Sequence, residues 1–280
     1  MKIIEKTYQY PNATEVEEHL DGRYGAPGQK REKKKKPTPE EMKKANQRNK
    51  EKWCRRKMRA WFSRDDLWVT LTYAPDCRPP DMATAKKQFS RFIRNVRDRY
   101  RRRGYVLRWI RNIEVGTKNA WHIHMLVARI PDTDLIIADT WAYGTVDMKP
   151  CHKEGNFRRL AAYLTKTPET EPRLRESAYD ASRNLPLEKP EEKKLKRWKE
   201  KDEIQVPEGY YLDEDSYYEG KNPITGSPYR EYTLLRAREK EVPPDAKGRH
   251  IHKRKHKGPR KGGRKGDVPD AGEKKKRHRP

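Results

Sequence analysis

Two histidines one residue apart, His122 and His124, sit inside the run Trp121-His122-Ile123-His124-Met125-Leu126-Val127, which otherwise reads as a buried strand. Side chains along a strand alternate faces. Both imidazoles therefore project from one face, about 7 Å apart, while Trp121, Ile123, Met125 and Val127 project from the other. Imidazole suits several divalent transition metals, so the pair is the start of a metal site. The plain reading, two histidines on a solvated sheet face, stands beside it until further residues join them.

The elements around the pair supply those residues. Tyr105 to Val115 reads as the preceding strand, and Gly116-Thr117-Lys118-Asn119-Ala120 as a hairpin loop. If Val115 pairs with Trp121, Glu114 lies opposite His122 and Asn112 opposite His124, with directly opposed Cβ atoms about 5 Å apart. A slip of one residue would turn Glu114 to the core face. Leu67 to Tyr73 reads as another strand, with Val69, Leu71 and Tyr73 on one face. Downstream, Asn156 is placed to cap a helix from Phe157 to Lys166, with Phe157, Leu160, Ala161 and Leu164 as its apolar stripe. Tyr163 lies beside that stripe, and Lys166 follows one turn on.

Two imidazoles and a carboxylate leave open positions on Mg²⁺ or Mn²⁺, which can polarise a scissile phosphate. A tyrosine hydroxyl can attack that phosphorus in line. Lys166 can orient the phosphate, stabilise the tyrosine oxygen, or position the metal site. The phenol leaves far more readily than an aliphatic alcohol, so a phosphotyrosine ester can be resealed by a 3′-hydroxyl. That chemistry suits nicking and rejoining of DNA and has little use in plain degradation. Arg158, Arg159 and Lys118 are candidate DNA contacts, with Tyr73 or Trp121 as candidate base-stacking rings.

Composition bounds the rest. The 280-residue chain has a formal net charge of +26, with 39% charged and 32% hydrophobic residues. That is too little apolar material for one core over the whole length, and a polyanion is the natural partner. Cys54, Cys77 and Cys151 have no paired spacing, which argues against a disulfide framework or zinc ribbon. No apolar run approaches the roughly 20 residues of a membrane span. The expected divisions are a flexible basic arm (1–37), a basic helix (38–62), a catalytic domain (63–170), a helical or β appendage (171–238) and a disordered basic tail (239–280). Thr38-Pro39-Glu40-Glu41 starts the basic helix with a capping box. Its cations suit either a nucleic-acid contact or a solvated face docked by Trp53, Met58 and Trp61. Glu188 to Glu200 reads as a charged helix or linker. His250-Ile251-His252 repeats the histidine spacing in the tail, with no apolar strand to hold it rigid.

Taken in order, Val69-Thr70-Leu71-Thr72-Tyr73, then His122-Ile123-His124 with Glu114 upstream, then Tyr163-Leu164-Thr165-Lys166 resemble the three motifs of HUH-superfamily rolling-circle replication initiators of bacterial phage, plasmid and integrated-element type. The resemblance covers about Leu67 to Lys166 and includes a single catalytic tyrosine. It implies an α+β fold, a central antiparallel sheet with flanking helices, a divalent metal and a 5′-phosphotyrosyl intermediate. It also implies single-stranded DNA or an origin hairpin as substrate and a bacterial cytoplasmic setting, with no membrane and no small-molecule organic cofactor. No Walker lysine motif is present, which implies a host or separately encoded helicase and polymerase. A relaxase or single-tyrosine transposase of the same superfamily and a non-catalytic nucleic-acid-binding protein are the competing readings. Relaxases of the familiar type place the tyrosine ahead of the histidines, whereas Tyr163 follows them.

Overall fold

The computed structural model describes residues 3–20, 37–116, 119–151, 157–166, 179–221 and 227–237. In chain order these form β1 (Ile3–Tyr10), β2 (Ala13–Leu20), α1 (Pro39–Trp61), β3 (Leu67–Tyr73), α2 (Met82–Arg102), β4 (Trp109–Val115), β5 (Trp121–Val127), α3 (Thr133–Thr140), β6 (Gly144–Pro150), α4 (Arg158–Thr165), β7 (Tyr179–Ala181), β8 (Glu191–Leu195), β9 (Tyr210–Leu212), β10 (Tyr218–Lys221) and β11 (Pro228–Arg236). The fold is α+β, built on two antiparallel sheets. Among the described residues no helix is long and apolar enough to cross a membrane.

The central sheet has the order β6-β3-β5-β4-β7. Its strands alternate as a half-buried surface should. Val69, Leu71, Ile113, Trp121, Ile123, Met125 and Val127 face one layer. There they meet Phe89, Phe92, Ile93 and Val96 of α2 and Ile136 and Ile137 of α3. At about 25 cal/mol per Å² of apolar area, this layer is the main hydrophobic stabilisation of the molecule. Arg111 also points into it, stacked 5.0 Å from the Phe89 ring centroid and paired with Asp180 at 3.2 Å. Gly144 is required where β6 begins. Its φ is +153°, and a Cβ there would lie 2.1 Å from the Thr72 carbonyl oxygen.

The opposite face of the sheet is divided. At one end Ile110 and Leu126 meet Cys54, Met58 and Phe62 of α1 and Ala161 and Leu164 of α4. At the other end the face carries polar side chains and is left for the site. Helix α1 opens with the expected capping box, in which Thr38 and Glu41 each bond the other's backbone N–H.

The second sheet corrects three expectations. Residues 3–20, read as part of a flexible arm, form a hairpin turned at Pro11-Asn12. Residues 191–195, read as charged helix or linker, form β8 and pair with β1. The segment read as an appendage contributes β11, which pairs with β2, so arm and appendage are parts of one sheet. Strands β1 and β2 carry charges on both faces because one face meets α1 through ion pairs. Arg56 and Arg59 of α1 reach Glu15 at 2.7 and 3.0 Å, and Lys52 reaches both Glu17 and Glu231 at 2.6 Å. These cations, candidates for a nucleic-acid contact, are committed to the sheet. Trp53, taken as an anchor, is half exposed at 51%.

Smaller differences follow from local geometry. The strand read from Tyr105 starts at Trp109 because Gly104 turns the chain at φ +80° and Tyr105 and Val106 stay exposed. Asp132 precedes α3 in left-handed conformation and makes no side-chain cap. Instead the Thr133 hydroxyl accepts from the Ile130 N–H. Asp180, read as loop, lies in β7. The cap residue Asn156 and the tail after residue 238, with its His250-Ile251-His252 repeat, lie outside the described residues.

Candidate active site

The turn after Val115 closes with the Gly116 N–H bonded to the Ala120 carbonyl at 2.7 Å. It sets Val115 against Trp121, Glu114 against His122 and Asn112 against His124. On the other side of β5, Thr72 pairs with His122 and Thr70 with His124. The free half of the sheet therefore carries two short rows, Thr72-His122-Glu114 and Thr70-His124-Asn112. The threonines hold the rings. Thr70 Oγ1 is 3.2 Å from His124 Nδ1, and Thr72 Oγ1 is 3.1 Å from His122 Nδ1. With Nδ1 engaged on both rings, Nε2 is the nitrogen left to face outward. The two rings lie nearly parallel, 22° apart, with centroids 6.2 Å apart.

Helix α4 brings the tyrosine over this surface. Phe157 precedes it in left-handed conformation at φ 55° with its ring buried, and Ala161 and Leu164 bury the underside. The Tyr163 hydroxyl donates to Glu114 Oε2 at 2.9 Å and lies 3.0 Å from His124 Nε2. Glu114 Oε2 and His124 Nε2 are themselves 3.4 Å apart. Trp68, on the same sheet face, stacks on His124 and meets Tyr163 edge-on, both with centroids at 5.8 Å. Such aromatic contacts are worth about 0.5–1.5 kcal/mol each beyond area burial. They fix the ring while leaving it accessible, since Tyr163 is 39% exposed.

The electrostatics follow from these contacts. Partial burial raises the Glu114 carboxyl, but hydrogen bonds from His124 and Tyr163 and the nearby Lys166 charge outweigh it and hold it below its ordinary value. Burial, with the positive neighbours His124 and Arg78, lowers the His122 pKa and favours the neutral ring that a metal requires. Burial and the Glu114 carboxylate both raise the Tyr163 phenol. In this arrangement the phenol is held neutral.

A divalent ion is implied by the resemblance, and the residues can be tested for it. The donors are right in kind: two imidazoles held through Nδ1 and a carboxylate beside one of them. Asn112, next to His124, is 1% exposed and neither of its amide atoms has a partner, so a further oxygen donor adjoins the set. As they stand, no three His, Cys, Asp or Glu side chains among the described residues converge closely enough to hold an ion. The reason at this site is visible: the Tyr163 hydroxyl bonds both Glu114 and His124. The set fits an ion by chemistry, and the tyrosine competes for its lone pairs.

Of the residues singled out from the sequence, Glu114, His122, His124 and Tyr163 come together. Lys166 ends α4, exposed, where its charge reaches Glu114. Arg159 is exposed on α4, whereas an Arg158 guanidinium nitrogen donates to the Asp215 carbonyl and ties α4 to the segment before β10. Lys118 lies outside the described residues. Trp121 and Tyr73, proposed as base-stacking rings, are 0% and 2% exposed and belong to the core. The alternation that put the histidines outward put Trp121 inward, and Tyr73 packs edge-on to Trp141. The sequence reasoning missed Thr70, Thr72, Trp68 and Asn112 as members of the site. The period-two alternation of β3 carried the signal, since Trp68, Thr70 and Thr72 occupy the face opposite Val69 and Leu71.

No curated protein and no solved structure matches the chain. Residues 66–168, which include β3, the paired strands β4 and β5 and helix α4, match the family model for replication-associated proteins of the ORF2 group, and this central segment is of replication-initiator type.

Proposed function

We propose that the chain is a metal-dependent replication initiator endonuclease of HUH type. It nicks single-stranded origin DNA through Tyr163 and later rejoins strands. The observation that carries this reading is a phenol hydroxyl held within 3.0 Å of both a carboxylate and an imidazole, on a sheet face that carries a second imidazole. A structural tyrosine on a helix flank has no need of that company. In the reaction the Tyr163 oxygen bonds to phosphorus and the bond from phosphorus to the 3′ oxygen breaks. The 3′ oxygen takes up a proton and leaves as a hydroxyl, and the 5′ side stays on the protein. The phenol proton has acceptors within reach in Glu114 and His124. Trp68 keeps the ring in place, and Lys166 and Arg159 lie on the same helix to meet the phosphate charge. His122, His124 and Glu114 would hold Mg²⁺ or Mn²⁺, which supplies Lewis-acid polarisation of the phosphate. Rejoining reverses the step when a 3′-hydroxyl attacks the phosphotyrosine. Helicase and polymerase functions fall to separate proteins of a bacterial host cell or of the element itself.

The test is a labelled single-stranded origin oligonucleotide with and without divalent ion. The chain should form a denaturant-stable adduct carrying the 5′ side of the cut, only when the ion is present. The His122→Ala, His124→Ala double variant should form none while keeping its fold. Nicking that persists in that variant, or in the presence of a chelator, would overturn the metal assignment.

The threonine contacts carry a second prediction. Thr70→Val and Thr72→Val keep a β-branched side chain in β3 and so keep the strand, but each frees one imidazole. Loss of such an outer contact typically costs about 10–100-fold in metal affinity. Mn²⁺ titration followed by calorimetry should show a loss in that range for either variant, with a thermal midpoint close to the parent's. Unchanged affinity in both would remove the threonines from this role.

A further inference from the structure

Helix α2 covers the face of the central sheet that points away from Tyr163. Its buried residues Phe89, Phe92, Ile93 and Val96 pack on Ile113, Ile123 and Met125, the opposite side from His122 and His124. The outer side of α2 carries Lys87, Arg91, Arg94, Arg97 and Arg101, all exposed. They follow one another at helical spacing of three or four residues and span about 21 Å of helix at about 1.5 Å per residue. Asp98, the one acid in α2, pairs with Arg101 at 3.2 Å.

Stability does not call for this stripe. Like charges three or four residues apart cost an isolated helix about 0.2–0.5 kcal/mol per pair. Cations near a helix C-terminus gain from the macrodipole, which accounts for Arg99, Arg101 and Arg102. Lys87, Arg91 and Arg94 lie in the first two-thirds of the helix and gain nothing there. The cations of α1, by contrast, are spent on glutamates of the second sheet.

We infer that the outer face of α2 is a second DNA surface, one that binds the phosphate backbone of duplex DNA while the unpaired strand lies on the opposite face at Tyr163. Duplex carries one phosphate per about 3.4 Å of axis on each strand, so the stripe parallels about six phosphates of one strand. The regular row of a duplex matches a straight row of guanidinium groups, and its charge density is the greater. Contacts of this kind hold and orient DNA without reading its sequence. The inference adds a surface to the proposed function and rests on it only for the choice of DNA as the polyanion. A chain that grips duplex behind its catalytic face can keep hold of the origin after the nicked strand has moved.

The test uses the full chain and a blunt duplex of unrelated sequence, followed by fluorescence anisotropy from about 50 to 200 mM salt. The variant is Arg91→Gln/Arg94→Gln/Arg97→Gln, and the charge-matched control is Lys193→Gln/Lys194→Gln/Lys196→Gln, three exposed lysines in and just after β8. The α2 variant should bind duplex at least 10-fold more weakly. Its log–log salt slope should be shallower by up to about 2.7, from about 0.9 per phosphate contact. Its nicking of a short single-stranded oligonucleotide should equal the parent's, and the control should change duplex affinity much less. Equal losses in variant and control would reduce the effect to net charge and overturn the inference. So would a parallel loss of single-strand nicking, or a loss of binding to poly-glutamate in place of duplex, which would point to an acidic protein. If the parent chain nicks nothing, the catalytic reading fails and the duplex comparison still decides this one.

Discussion

Tyr163→Phe should abolish both nicking and the covalent adduct while leaving DNA binding within about twofold of the parent. The change removes one oxygen. Phenylalanine keeps the edge-on contact with Trp68 and the contact with the His124 ring, both of which are made by the ring itself. The hydroxyl's two bonds, to Glu114 and His124, are lost, and the half-exposed site lets water replace them. Stability should therefore change by no more than about 1 kcal/mol. Activity should fall by about 10³ or more, because loss of a nucleophile removes the covalent step outright. Adduct mapping by mass spectrometry on the parent chain supplies the complementary result, with the DNA-bearing peptide containing Tyr163. Cleavage by the Phe variant at the parental rate, or an adduct on another tyrosine, would end the assignment. Tyr179 is the informative comparison. It is also a tyrosine on an element beside β4, but burial and the neighbouring Cys54 thiol raise its phenol, and it lies across the sheet opposite Asn112, away from Glu114.

The site was legible in the sequence because it is built on short-range order. The alternation in β5 settles which way the histidines face, and a five-residue turn settles what stands opposite them, so Glu114 follows from His122 by counting. The apolar stripe of α4 likewise fixes where Tyr163 stands on the helix. What escaped was anything that depends on distant pairing or on polar packing. Strands β1 and β2 show no clean alternation, since Glu15 and Glu17 face α1 while Glu18 faces a buried arginine, Arg230, far along the chain. Charged residues on both faces of a segment read as solvated until the partners that neutralise them are known. The same blindness applied to α1. Its arginines looked like a nucleic-acid surface, because the glutamates that engage them belong to a hairpin that had been read as an arm. Thr70 and Thr72 were passed over for a related reason. A threonine in a strand has enough β propensity to explain itself, and only the observed ladder shows each hydroxyl at an imidazole nitrogen.

The ionic joint between α1 and the second sheet makes the other large prediction. Glu15 is 1% exposed and meets Arg55, Arg56 and Arg59 at 3.5, 2.7 and 3.0 Å. Glu15→Gln should destabilise the fold by about 3–5 kcal/mol, because it leaves the guanidinium groups buried without their shared counter-charge. For a folded unit of this size that is a fall of about 10 °C in Tm. A joint Glu15→Leu/Arg56→Met variant should be less destabilised than the sum of its two single changes, since each removes the charge the other would strand. The joint also reports on pH. Burial pushes the Glu15 carboxyl up, but the three arginines outweigh it and bring it down to about 2 from an ordinary value near 4.5. A carboxyl depressed on folding contributes stability that is fully present above about pH 4.5 and is lost as the pH falls towards 2. Parent and Glu15→Gln stability curves should therefore run parallel above pH 4.5 and converge below it, in urea titrations at fixed pH. A gap that stayed constant down to pH 2 would mean that Glu15 is not held as the charged partner. Because α1 is also joined to α4, where the Gln47 amide donates to the Thr165 carbonyl at 3.1 Å, loosening this joint removes the backing of the helix that carries Tyr163. Glu15→Gln should accordingly lower nicking at temperatures well below its own Tm, and Tyr163→Phe should leave the unfolding curve in place.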